Sequence, residues 1–184
     1  MERQDQDLAF MLQYENVAWY EDGKVRILDR RVYPTEIKFV ECNTYKEVAK
    51  AITDMVTQSA GPYTAAGMGM TLAAYEVKDK KEAEQIAYLT QASYDISHAR
   101  PTTANRMGIV TEGCLKAAKE AMEKGANPVE AIFNRTIDSL NRRYSTMGKV
   151  GEYLADLFPK NGTIMTQCFG ETIIGMMLRA ARKN

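Results

Sequence analysis

The chain has 184 residues, a mass of 20.7 kDa and 24 basic against 24 acidic side chains, so its formal net charge is zero. At about 150 residues per domain one compact unit is expected, alone or with a small appendage, able to bury roughly 70% of its extended surface without staples or metals. Balanced charge leaves no surplus of cations for a nucleic-acid backbone, the apolar runs are too short to span a bilayer, and Met1-Glu2-Arg3-Gln4-Asp5 carries no apolar signal region. A cytoplasmic protein with no nucleic-acid and no membrane partner is expected.

In chain order, residues 1–14 form a polar lead-in with one apolar patch, Leu8-Ala9-Phe10-Met11-Leu12, that reads as a helical turn. Residues 15–43 read as a small antiparallel sheet. Val17-Ala18-Trp19-Tyr20 and Val25-Arg26-Ile27-Leu28 flank Asp22-Gly23, a pair suited to the positive backbone angles of a tight hairpin. A third strand is predicted from about Glu36 to Cys42, where alternate residues are apolar. From residue 44 to 184 the period lengthens and a helical bundle is predicted. Thr44 with Glu47 fits a capping box opening a helix to about Gln58. Pro62 opens a second, whose Ala65, Ala66, Gly67, Gly69, Ala73 and Ala74 allow close backbone approach. Asp79 is placed as the cap of a third to about His98, and Pro101 in the first turn of a fourth. Asn127-Pro128-Val129-Glu130 opens a long helix to Pro159, roughly 45 Å at 1.5 Å per residue. Thr163 to Cys168 reads as a short buried strand, followed by a last helix. The fold class is α+β: a three-stranded antiparallel sheet, about five or six helices, and one short strand near the C-terminus.

Three cysteines, Cys42, Cys114 and Cys168, are too few and too scattered for a disulfide framework or a zinc site, and one histidine, His98, is too little for a His-based metal site or triad. Cys42 and Cys114 read as small buried hydrophobes, and His98 as an exposed residue at a helix end. Three segments place small or polar residues at element boundaries, where free backbone amides attract anions. They are Gln58-Ser59-Ala60-Gly61-Pro62, Ala99-Arg100-Pro101-Thr102-Thr103, and Ile164-Met165-Thr166-Gln167-Cys168 with the Phe169-Gly170-Glu171 that follows. Singly they have plain alternatives: a helix–helix turn, a solvated arginine beside an N1 proline, and a core thiol.

Taken in this order behind the hairpin, with Val48-Ala49-Lys50-Ala51-Ile52, Ala60-Gly61-Pro62, Arg100-Pro101-Thr102 and Ile164 to Cys168, the chain resembles the N-terminal half of the methylthioribose-1-phosphate isomerases and the initiation factor 2B regulatory subunits. The resemblance implies an aldose–ketose isomerase acting on a sugar phosphate in methionine salvage, with Cys168 transferring the proton. Arg100, Ser59, Ala60, Gly61 and Thr102 would bind substrate. No cofactor and no metal is implied. It also implies a Rossmann-like C-terminal half, on a separate chain or contributed through a second copy, and an oligomeric assembly. At two places the chain departs from the family: the first-loop arginine falls on Gln58 or Ser59, and Phe169-Gly170-Glu171 replaces a polar run after the cysteine. The alternative is a non-catalytic ligand- or protein-binding module of the initiation factor type. Ile173, Ile174, Met177 and Leu178 are expected to leave an apolar surface that the missing half or a second copy of the chain would cover.

Overall fold

A computed structural model describes residues 2–166 and 170–182. The chain packs as two compact units, Glu15–Ile137 and Met1–Tyr14 with Asp138–Asn184, and helix α6 passes from one into the other.

In the larger unit the short helix α1 (Tyr14–Val17) leads into strands β1 (Ala18–Glu21), β2 (Lys24–Leu28) and β3 (Phe39–Cys42), antiparallel in the order β1-β2-β3. Asp22 and Gly23, at φ 47° and 76°, make the expected two-residue turn. A side chain on Gly23 would overlap the Tyr75 ring, so glycine is required there twice over. Register pairs Trp19 with Arg26 and Arg26 with Glu41, which turns Ala18, Val25, Ile27 and Cys42 into the core. The third strand starts at Phe39 rather than Glu36. Its ladder continues one bond past β2, from the Asp29 amide to the Lys38 carbonyl (2.8 Å), and then the Arg30 amide turns away to Val56 (2.8 Å), while the Glu36 amide bonds back to the Val32 carbonyl (3.1 Å) and not to the sheet.

Helices α2 (Tyr45–Thr53), α3 (Gly61–Glu76), α4 (Glu82–His98) and α5 (Ala104–Glu123) complete this core with the first part of α6 (Pro128–Ala155). The capping box of Thr44 and Glu47 forms as expected. Helix α2 ends five residues before Gln58 because Met55 takes a left-handed conformation (φ 61°), and the Met55 and Val56 amides return to Ile52 and Ala51 (3.3 and 3.0 Å). Those two bonds satisfy carbonyls that would otherwise be orphaned at the helix end. Asp79 does not cap α4. The helix begins after Lys81, and its start is held by Gln85, whose side chain donates to the Lys78 and Lys80 carbonyls. Pro101 opens a 3-10 turn, Pro101–Thr103, that runs directly into α5. Asn127 caps α6 by accepting from the Val129 amide (2.9 Å).

Because residues Gly61 to Ala74 are mostly small, α3 is buried on nearly every side, touching α2, α4, α5 and the sheet. Gly69 lies against Val48 and Ile96, and Gly67 against Thr136 of α6. The sheet and helices therefore share one core, and the change of period near residue 44 marks a change of element type.

The smaller unit joins the N-terminal segment to the last turns of α6 and to α7 (Glu171–Ala181). Its centre is polar and hydrogen-bonded. The buried Asp5 carboxylate accepts from the Tyr14 amide (2.8 Å) and from the Arg3 guanidinium (3.0 and 2.6 Å). Tyr14 donates its hydroxyl to Asn141 (2.8 Å), Tyr144 donates to the Leu12 carbonyl (2.8 Å), and the two rings meet edge to face. Arg179 of α7 donates to the Gln4 carbonyl (3.0 Å), and Gly175 admits the Leu12 side chain. The predicted strand over Thr163 to Cys168 is absent in its described part. Residues 163–166 are irregular, Ile164 is 45% and Met165 94% exposed, and no neighbouring strand takes up their backbone groups.

Candidate functional site

The structure brings two of the three predicted segments to one end of the larger unit. Thr53, at the end of α2, donates its hydroxyl to the Ala99 carbonyl (2.8 Å), tying the loop before α3 to the Arg100 turn. At the same end the Arg106 guanidinium of α5 lies over the Tyr63 ring of α3, 5.1 Å from its centroid. Helices α3 and α5 therefore begin side by side. Neither carries an acidic residue in its first turn, and nor does the 3-10 turn between Arg100 and α5. The positive ends of their backbone dipoles are thus uncompensated by protein carboxylates. Asp54, which follows α2 here, is already paired with Lys50 (2.7 Å).

Within this end, Ser59 is exposed in a left-handed conformation (φ 55°), Ala60 is half-buried, and Gly61 is buried against Thr57. Backbone amides are scarcer than the sequence suggests. The Gly61 amide donates to Gln58 (2.9 Å), Pro62 has none, and the Tyr63 amide leans on Ala60 (3.3 Å). Gln58 itself turns its side-chain amide back to the Met55 carbonyl (3.4 Å), so the loop contributes no cation. Arg100 is half-buried in an extended conformation and Thr102 is exposed beside it. Among the described residues no carboxylate lies within ion-pair distance of Arg100 or Arg106. What the arrangement offers chemically is two guanidinium groups near two helix starts, a setting suited to an anion.

The sequence does not single out Arg106. A signal was available: it occupies the third position of α5, where a cation opposes the helix dipole at a cost of about 0.3–1 kcal/mol. His98 is exposed, as expected. It stacks on Tyr94 (centroids 4.1 Å) with Nδ1 against the Tyr94 carbonyl (2.8 Å), a contact that is a hydrogen bond when Nδ1 carries the proton.

The third segment's key residue, Cys168, lies outside the described residues, together with Gln167 and Phe169. Cys42 and Cys114 are buried core thiols, as expected, and burial pushes each up to about 11, far from a reactive thiolate. No cluster of three metal-binding side chains occurs among the described residues, and no helix there is long and apolar enough to cross a membrane.

The fold is an α+β module similar to the N-terminal halves of two solved structures. The solved structure of translation initiation factor eIF-2B, subunit delta, from A. fulgidus superimposes with a TM-score of 0.72 at 23% identity, covering 91% of this chain and 51% of that one. The 5-methylthioribose 1-phosphate isomerase from Pyrococcus horikoshii OT3 gives 0.66 at 24% identity, over 91% and 49%. In sequence, the chain is similar to the N-terminal part of the methylthioribose-1-phosphate isomerases. It is 27% identical to that of Carboxydothermus hydrogenoformans over 157 residues and 29% identical to that of Syntrophotalea carbinolica over 160. These alignments cover 83% and 81% of this chain but 44% of each relative, so the chain spans less than half the length of the curated relatives it matches. No protein-family model matches it.

Proposed function

We propose that this chain is the N-terminal portion of a methylthioribose-1-phosphate isomerase-like enzyme, converting an aldose phosphate to its ketose isomer together with a Rossmann-like C-terminal half. The observation that carries this reading is the extent of the similarity: 81–84% of the chain aligns with isomerases at 25–29% identity. The end bearing Arg100, Ser59, Ala60, Gly61 and Thr102 takes the phosphate and sugar oxygens in this reading. Cys168 moves the proton between adjacent carbons, a task suited to a thiol that titrates near neutrality. The reaction redistributes hydrogen within one molecule and calls for no external oxidant or reductant.

Exposed apolar residues of the smaller unit support the need for a covering C-terminal half. Tyr153 is 72% and Leu157 79% exposed at the end of α6, with Leu178 at 56% on α7. Such side chains favour a covering surface, and the relatives' remaining length is the natural source of one. The test is reconstitution. Mixed with a Rossmann-like half, the chain is expected to turn over methylthioribose 1-phosphate, and Cys168→Ser to abolish that turnover. Turnover untouched by the substitution would remove the thiol from the mechanism.

The second reading, a non-catalytic binding module of the initiation factor type, is favoured by the higher TM-score with the delta subunit. It predicts binding of a phosphorylated ligand or a protein with no turnover in any reconstituted mixture.

A further inference from the structure

We infer that Thr53 is a positioning residue for Arg100, fixing the peptide from which that side chain springs. The inference deepens the functional reading above and rests on it, since Arg100 contacts substrate there. Arg100 is the one extended residue (φ −144°, ψ 111°) between two helical stretches, Ala99 at the end of α4 (φ −58°, ψ −23°) and the 3-10 turn that starts at Pro101. Its ψ is confined from the C-terminal side. A proline disfavours helical angles for the residue before it, and the Arg100 carbonyl accepts from the Thr103 amide (3.1 Å) and hydroxyl (3.3 Å). What is left is φ, the rotation between the planar Ala99–Arg100 peptide and the rest of the residue, which sets the direction in which the side chain leaves α4. The Ala99 carbonyl belongs to that peptide and, at the end of α4, finds no partner within its own helix. Thr53 supplies one from α2, 46 residues away in sequence, at 2.8 Å. The donor is itself held. Its hydroxyl also leans on the Ala49 carbonyl one turn back (3.1 Å), which selects between the rotamers open to a helical threonine. Beyond it, α2 is closed by the left-handed Met55 and by the Val56 amide on Ala51 (3.0 Å). A guanidinium binds oxygens through a rigid fork, so its use depends on where the backbone aims it.

The probe is ribose 5-phosphate, titrated into the full chain and followed by the NMR signals of residues 98–104. Thr53→Val removes the hydroxyl and keeps the branched shape. It is expected to shift the Arg100 amide signal of the free chain and to weaken binding roughly three- to tenfold, the worth of one hydrogen bond. Thr53→Ser keeps the donor and should bind within about twofold of wild type. Arg100→Lys replaces the fork by a flexible point charge that needs no aiming, so adding Thr53→Val to it should change affinity by less than about twofold. A loss of equal size in both backgrounds would make Thr53 a stabiliser of the fold, and equal weakening by Thr53→Val and Thr53→Ser would show that the hydroxyl is not what matters. Either result overturns the inference. So does a Thr53→Val chain that binds as the wild type does, and in that case the functional reading stands. If ribose 5-phosphate moves no signal in the wild-type chain, both fall.

Discussion

Asp5 shows how one residue of an unremarkable-looking lead-in becomes structural. Burial pushes its carboxyl up, but hydrogen bonds from Arg3 and the Tyr14 amide, with the charge of Arg3, outweigh this and hold it below its ordinary value. A carboxylate whose folded pKa is depressed stabilises the fold fully above the unfolded value, about 3.9, and ceases to do so as pH falls through the folded one. Asp5→Asn is therefore expected to cost about 1–3 kcal/mol in urea unfolding at pH 7, since it removes charge-assisted bonds from a buried network. The gap between wild type and variant should narrow below about pH 4, the carboxylate range. A gap independent of pH would mean that shape, not charge, is what Asp5 contributes. The pair at the other unit, Arg100 and Arg106, illustrates the opposite case, in which charges are left unpaired by the protein. Arg100 stood out in the sequence through its Pro-Thr context. Arg106 could be weighed only once the Tyr63 ring was seen beneath it.

At the scale of elements, the same helix ending occurs twice with different legibility. Helix α5 closes on Gly125 at φ 65°, with the Gly125 and Ala126 amides returning to Met122 and Ala121 (2.9 and 2.8 Å). Helix α2 closes identically on Met55, a residue that pays roughly 1 kcal/mol for the left-handed conformation and gives no sequence warning of the stop. Met55→Gly should accordingly raise stability by about 0.5–1 kcal/mol, read as a higher midpoint in urea. Two helical glycines should respond in opposite ways to alanine. Gly108 has nothing within 4 Å of a new methyl, so Gly108→Ala is expected to stabilise by about 0.5–1 kcal/mol. At Gly69 the methyl would stand 2.9 Å from Val48 and 3.2 Å from Ile96, and overpacking of about 1–3 kcal/mol should exceed the helix gain. Equal shifts in melting temperature for the two variants would show that α3 is less tightly enclosed than its burial implies.

For the molecule as a whole, the open question is what covers the smaller unit. If a Rossmann-like half does so, size-exclusion chromatography of the mixed chains should show a complex, and Tyr153→Lys with Leu157→Lys should dissolve it while leaving the free chain folded. A complex indifferent to both substitutions would place the contact elsewhere. Reconstituted isomerisation and its loss with Cys168→Ser would then report on the chemistry separately from assembly.

Local rules were sufficient wherever one or two residues decide the outcome. Asp22-Gly23 dictated the hairpin, Thr44 with Glu47 the start of α2, and Asn127-Pro128 the start of α6, because dihedral preference and side-chain capping act within a few bonds. Contacts between residues distant in the chain were invisible to such rules. The burial of Asp5 depends on Tyr14, the closure of the Arg100 turn depends on Thr53, and the apolar run at Ile164 and Met165 is exposed, with no strand beside it among the described residues. Pairing and burial of this kind are properties of the packed chain, set by which surfaces meet, and only the tertiary structure could decide them.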